Sequence, residues 1–81
     1  MKTVIQNEKT FIEYNDDKKD FYGGDKTDHY NDPRFFNKTR RSYKRAKTAL
    51  LAAWNETMTM YEAMEVLEAN GIRIHSYCQV D

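Results

Sequence analysis

The segment from Pro33 to Trp54 constrains the fold more than any other part of this 81-residue chain. It contains seven Lys and Arg residues and no carboxylate, although the whole protein has 13 basic and 13 acidic residues and no net charge. At about 100° per residue, a helix over this segment would gather its uncharged side chains in one arc and place cations around the rest. The arc would consist of Phe35, Phe36, Thr39, Tyr43, Ala46, Leu50, Ala53 and Trp54.

The beginning of this segment carries a helix-start signal. Asp32 suits the N-cap position, and Pro33 is tolerated best at the first position of a helix. The sequence therefore predicts a basic amphipathic helix over residues 33–54, about 33 Å long.

The part of the chain before this helix consists of two segments that differ in composition. Two short segments rich in β-branched and aromatic residues, separated by residues 7–9, predict a β-hairpin over residues 1–14. Residues 15–32 are acidic, contain three aromatic residues and include the pair Gly23 and Gly24, which is a turn signal. We expect an irregular acidic, aromatic loop there.

The part after the basic helix predicts a second helix and a strand. Thr59 and Glu62 form a capping-box pattern, and an Asn-Gly pair that includes Gly71 ends the pattern. The predicted helix over residues 59–70 has apolar residues on one side and glutamates on the other. Apolar and polar residues then alternate over residues 72–80, which predicts a half-buried strand.

These elements together predict an α+β fold in a single domain of residues 1–81. We expect a small three-stranded antiparallel sheet packed on a two-helix layer, in the order β-β-α-α-β. A chain of this length buries only about 60 to 65% of its unfolded surface, so its core is small. A homodimer would bury more surface, and the sequence leaves the oligomeric state open.

Composition restricts the cellular setting. The single cysteine, Cys78, cannot form an internal disulfide, so the fold does not depend on an oxidising compartment. The N-terminus lacks the apolar stretch of a signal peptide, and no run of about 18 apolar residues is present. We therefore expect a cytoplasmic protein that does not enter a membrane.

No catalytic or metal-binding pattern stands out in the sequence. His75 and Cys78 are spaced like two zinc ligands, but on a strand this spacing points them to opposite faces. The same placement argues against a catalytic Cys-His dyad. We interpret His29 and the aspartates around it as part of a solvated acidic loop. We therefore expect a non-enzymatic protein without a metal or cofactor.

The distribution of charge predicts the function. Residues 1–32 carry 5 positive and 8 negative charges, and residues 55–81 carry 1 positive and 5 negative, so the cations concentrate in the predicted basic helix. Lys and Arg on such a helix can follow a phosphate backbone. We predict a small regulatory protein that binds DNA or RNA through this helix. The predicted binding residues are Arg34, Lys38, Arg40, Arg41, Lys44, Arg45 and Lys47.

The charges of the two predicted helices restrict how the protein could bind nucleic acid. A helix-turn-helix motif is excluded, because its second helix enters the major groove, whereas the second predicted helix here carries three glutamates and no Lys or Arg. If the acidic loop of residues 15–32 folded back over the basic helix, it would neutralise the cations. The sequence leaves that arrangement open.

An alternative function is a small inhibitor or adaptor that docks on another protein through its charged and aromatic surface. An acidic partner would complement the cations, and aromatic and Arg side chains dominate protein-binding hot spots. The short, tyrosine-rich composition is also typical of accessory proteins of mobile elements and viruses of bacteria. For such contacts we expect four tyrosines to be partly exposed, namely Tyr14, Tyr22, Tyr30 and Tyr77.

Overall fold

A computed structural model describes residues 2–38 and 40–78 of the chain. Within these residues it has an α+β fold with five strands, one short 3-10 helix and two α-helices. In chain order, they are β1 (Lys2–Gln6), β2 (Thr10–Asn15), β3 (Asp20–Asp25), β4 (Arg34–Asn37), the 3-10 helix Arg40–Ser42, α1 (Tyr43–Ala53), α2 (Met60–Ala69) and β5 (Ile74–Tyr77).

The strands form one antiparallel sheet in the order β1-β2-β3-β4-β5. Both helices lie in the connection between β4 and β5 and pack on one side of the sheet, which we call the covered face. The covered face carries Ile12, Tyr14, Phe21, Gly23 and Phe35. The opposite side, the open face, carries Val4, Phe11, Glu13, Tyr22, Gly24, Arg34, Phe36, His75 and Tyr77.

The predicted three-stranded sheet is wrong, because β3 and β4 add two strands to it. β3 lies within the segment predicted as an acidic loop. Phe21 is buried and Tyr22 is exposed, as in a strand, but two glycines follow and hide the alternation. A Cβ atom on Gly23 would lie 2.6 Å from Cε1 of Phe35. The glycine pair therefore allows two strands to pack closely and does not form a turn.

The turn that starts β3 is built by local hydrogen bonds. The side-chain oxygen of Asn15 accepts hydrogen bonds from the backbone N–H groups of Asp17 and Lys18, at 3.1 Å each. Lys19 adopts a left-handed conformation with φ of 59°. This turn reverses the chain, so that β3 pairs with β2 along its whole length.

The predicted helix over residues 33–54 is wrong at its beginning, because Arg34–Asn37 form β4 and α1 begins only at Tyr43, after the 3-10 helix Arg40–Ser42. Asp32 does not cap a helix: its φ is 43°, and it precedes a strand. Phe35 is buried on the covered face and its neighbour Phe36 is exposed, which is the period-two pattern of β4. Pairing with β3 and burial of Phe35 outweigh the local helix signal. Thr39, part of the predicted uncharged arc, lies outside the described residues.

The predicted N-terminal hairpin is present as β1 and β2. Its turn depends on Asn7, whose side-chain oxygen accepts from the backbone N–H groups of Lys9 and Thr10 at 2.8 Å each. The side-chain nitrogen of Asn7 donates to the carbonyls of Asn55 and Met58, at 2.7 and 3.1 Å. One buried amide thus joins the hairpin to the connection between the two helices.

The second helix and the last strand also agree with the sequence pattern. The capping box is present: the backbone N–H of Glu62 donates to Oγ1 of Thr59, and the backbone N–H of Thr59 donates to Oε1 of Glu62. After α2, Gly71 takes a left-handed φ of 73°. β5 occupies the middle of the predicted strand, and residues 79 and 80 of that prediction lie outside the described residues.

The core lies between the covered face and the two helices. Aromatic rings dominate the part next to α1, where Tyr14 lies 5.5 Å from Phe21 and 6.0 Å from Tyr43 between ring centroids. The expectation that Tyr14 is partly exposed is therefore wrong. The buried cluster comprises Ile12, Tyr14, Phe21, Phe35, Tyr43, Ala46, Leu50, Met58, Met60, Ala63, Leu67 and Ile72.

Candidate nucleic-acid interface

The seven predicted binding residues are spread over three elements and do not follow one helix. Arg34 lies in β4, and Lys38 follows that strand. Arg40 and Arg41 belong to the 3-10 helix, and the remaining three, Lys44, Arg45 and Lys47, lie on α1. Because α1 has 11 residues, it is about 16 Å long, roughly half the predicted length.

Two of the seven cations are paired with carboxylates. The guanidinium of Arg34 lies 2.8 Å from Oδ1 of Asp32, and its Cζ lies 4.9 Å from the ring centroid of Phe11 on the open face. The ammonium of Lys47 lies 3.1 Å from Oδ1 of Asp16. Both cationic side chains are partly buried, so they contribute less than the others to an exposed positive surface.

The Asp16 carboxylate is the centre of a small network against α1. The hydroxyl of Tyr43 donates to its Oδ1 at 2.5 Å, and Lys47 donates to the same oxygen at 3.1 Å. These two hydrogen bonds, in that order, lower the pKa of Asp16. Burial and the Asp16 carboxylate raise the pKa of Tyr43. The acidic segment therefore touches α1 at its first residue, Tyr43, and one turn later at Lys47.

The other five cations are exposed, and we call them the basic surface. In residues 2–38 and 40–78, none of them forms an ion pair. The basic surface consists of Lys38, Arg40, Arg41, Lys44 and Arg45.

The basic surface follows the N-terminal end of α1. Arg41, Lys44 and Arg45 line a shallow depression of about 470 Å³ on the helix layer. The first turn of α1 contains no acidic residue, and the partial positive charge at a helix N-terminus adds to that of the side chains. This end of the helix layer is therefore suited to a polyanion.

Carboxylates are present at the border of the basic surface. Lys38 and Arg40 line a depression of about 420 Å³ together with Lys18, Asp17 and Asp20. Lys38 also borders a third depression, of about 400 Å³, whose lining includes Glu68 and Arg73. In both depressions cations outnumber carboxylates.

The open face is a second candidate site, and the sequence did not predict that its aromatic residues lie together. Tyr22, Phe36 and Tyr77 expose 43%, 37% and 48% of their surface there. Phe36 lies 4.9 Å from His75 and 6.1 Å from Tyr77 between ring centroids. The expected exposure of Tyr22 and Tyr77 is confirmed, as is that of Tyr30 in a loop. Only the pairing of β3, β4 and β5 places these rings on one surface.

Within residues 2–38 and 40–78, no three His, Cys, Asp or Glu side chains cluster in a way that could hold a metal ion. The same part of the chain contains no helix with the length and apolar character needed to cross a bilayer.

No protein-family model matches this chain, and neither a curated protein nor a solved structure is significantly similar to it.

Proposed function

We propose that this chain is a small, non-enzymatic regulatory protein of the cytoplasm that binds nucleic acid through its basic surface. The observation that carries the proposal is the set of five exposed cations without an ion pair in the described residues. Lys and Arg side chains with no carboxylate partner are free to contact phosphates, and each contact releases counterions from the nucleic acid. Arg40, Arg41 and Arg45 can also bind phosphate through paired hydrogen bonds.

Two residues of the original prediction are left out of the proposed contact set. Arg34 is held by Asp32 and Phe11, and Lys47 is held by Asp16. Moving either cation to a phosphate would break an ion pair that already exists. The proposed contacts are thus grouped around the 3-10 helix and the first turn of α1.

The test is fluorescence anisotropy with a labelled DNA duplex of about 20 base pairs, or two helical turns, titrated at salt concentrations from about 50 to about 200 mM. We expect the logarithm of affinity to fall linearly with the logarithm of salt concentration, by about 0.9 for each phosphate contact. The double variant Arg41→Glu with Arg45→Glu should bind at least about tenfold more weakly at low salt and show a flatter slope.

The matched control is Lys9→Glu, at an exposed position in the turn of the N-terminal hairpin, compared with Arg41→Glu alone, which makes the same change in net charge. Its loss of affinity should be much smaller than that of Arg41→Glu. Equal binding by the wild type and by the Arg41 and Arg45 variant would refute the proposal.

A protein partner is the second candidate, because the open face exposes aromatic side chains that suit an interface anchor. In this case the chain would act as an inhibitor or adaptor. A pull-down from a lysate treated with nuclease separates the two functions. Bound proteins that survive the nuclease favour the adaptor, and bound proteins that disappear favour nucleic acid.

A further inference from the structure

A row of aromatic rings crosses the open face. Tyr22, Phe36 and His75 lie directly opposite one another on β3, β4 and β5. Since neighbouring strands are about 4.8 Å apart, the three side chains occupy successive positions along one line. Tyr77 lies beside this line and contacts the Phe36 ring. The row therefore places aromatic side chains on three neighbouring strands of one surface, and Phe36 is in ring contact with both His75 and Tyr77.

The surroundings of this row hold parts of it in place. The hydroxyl of Tyr22 donates to Oε2 of Glu13 at 2.6 Å, and the ring of Phe11 packs edge-on against Tyr22 with 5.9 Å between centroids. Arg34 lies over Phe11 and is fixed by its ion pair with Asp32. Because these contacts exist before any partner binds, little side-chain freedom would be lost on binding.

The aromatic row is continuous with the basic surface. A depression of about 270 Å³ at the beginning of β3 is lined by Tyr22 and Phe36 and also by Asp20 and Asn37. The same Asp20 and Asn37 line the neighbouring depression of about 420 Å³ that contains Lys18, Lys38 and Arg40. A linear ligand could thus pass from the rings of the open face to the cations without crossing the body of the protein.

One class of polymer matches both surfaces. A single-stranded nucleic acid has a polyanionic backbone and bases whose flat faces are free to stack on aromatic side chains. A duplex has the same backbone charge but hides the faces of its bases. We infer that this protein prefers single-stranded nucleic acid, with bases stacked on Phe36, Tyr77 and Tyr22 and phosphates on the basic surface. This inference rests on the nucleic-acid function proposed above.

The experiment compares a labelled single strand of about 20 nucleotides with the duplex of the same sequence, by fluorescence anisotropy at one salt concentration. Wild-type protein should bind the single strand more tightly. Phe36→Ala and Tyr77→Ala should each weaken single-strand binding about tenfold, because each removes an aromatic ring on which a base stacks. Neither variant should change duplex affinity or the salt dependence, because neither removes a charge.

The matched controls are Tyr30→Ala, which removes an exposed ring from the loop between β3 and β4, and Tyr61→Ala, which removes one from α2 on the other side of the sheet. Both should bind the single strand like the wild type. Because all four substituted rings are exposed, the variants should fold normally, and circular dichroism checks this. Asp20→Asn provides a second measurement, since removing a carboxylate beside the ligand path should strengthen single-strand binding.

The outcomes separate the two proposals. If charge reversal at Arg41 and Arg45 abolishes binding while Phe36→Ala and Tyr77→Ala bind single strands like the wild type, the stacking inference is overturned and the proposed function stands. If the protein binds neither single strand nor duplex, both are overturned. If the wild type is a dimer that Phe36→Ala and Tyr77→Ala dissociate without loss of single-strand binding, a second copy covers the open face and the stacking inference fails.

Discussion

The two faces of the sheet use the same kinds of residue for different purposes. Phe35 and Phe36 are neighbours in β4, yet Phe35 is fully buried on the covered face and Phe36 is 37% exposed on the open face. Burying an aromatic side chain removes roughly 150 to 250 Å² from water, which stabilises the fold. The rings of the open face still expose part of their surface to water. A ligand that covered them would bury that remaining surface. Folding therefore depends mainly on the covered face.

The largest expected difference between the two faces is the loss of stability when Phe35 or Phe36 is replaced by alanine. Phe35→Ala should lower the free energy of unfolding by about 3 to 5 kcal/mol, because it leaves a cavity in the core. Phe36→Ala should cost only about 1 to 2 kcal/mol, because this ring is partly exposed and its removal leaves no closed cavity. Urea denaturation followed by circular dichroism measures both. Equal losses would show that the open face is as important to folding as the covered face.

The neighbouring glycines of β3 allow the two faces to be compared by adding a single methyl group to each. On the covered face, Gly23→Ala would place a methyl group 2.6 Å from the Phe35 ring and 2.8 Å from the backbone oxygen of Phe11. On the open face, the methyl group of Gly24→Ala would meet the guanidinium of Arg34 and would lie 3.0 Å from Cδ of Arg34 and from Cε1 of Phe11. It would push Arg34 out of its partly exposed ion pair with Asp32, which costs only about 0 to 1 kcal/mol.

We therefore expect Gly23→Ala to reduce the free energy of unfolding by about 1 to 3 kcal/mol, the usual cost of overpacking. Gly24→Ala should cost clearly less. Thermal unfolding of the two variants gives the answer, since about 1 kcal/mol corresponds to a shift of about 4 to 8 °C in a domain of this size. A larger shift for Gly24→Ala than for Gly23→Ala would mean that the open face is the more tightly packed side.

The smallest expected effect concerns two tyrosine–carboxylate pairs, one near each face. Tyr43 donates to Asp16 beside α1, and Tyr22 donates to Glu13 on the open face. In each pair the tyrosine hydrogen bond is the main cause that lowers the pKa of the carboxyl group. When folding lowers the pKa of a carboxyl group, the folded state is stabilised at pH values above the ordinary carboxyl pKa of about 4. This stabilisation is lost as the pH falls below that value.

NMR titration of the side-chain carboxyl groups tests this directly. Tyr43→Phe should raise the pKa of Asp16 towards its ordinary value and leave the pKa of Glu13 unchanged. Tyr22→Phe should raise the pKa of Glu13 and leave that of Asp16 unchanged. Each variant should also lose less stability than the wild type between pH 5 and pH 3. An unchanged Asp16 pKa in Tyr43→Phe would assign the shift to Lys47 alone.

Local signals in the sequence succeeded where the structure is itself local. The hairpin of β1 and β2, the capping box at Thr59 and the left-handed Gly71 all depend on residues within a few positions of one another. The same kind of signal failed at Asp32 and Pro33. There the neighbouring residues favour a helix start, but a strand forms because Phe35 fills the core beside Gly23.

The sequence by itself determined the concentration of cations between residues 33 and 54, and it separated them from the acidic flanks. Only the tertiary structure decided which cations stay unpaired, because Asp16 and Asp32 reach Lys47 and Arg34 through folding of the chain. It also decided that Tyr22, Phe36 and Tyr77 share one open surface, since strand pairing joins residues that are distant in sequence. The physical reason is that charge is a property of composition, whereas pairing and exposure are set by long-range packing.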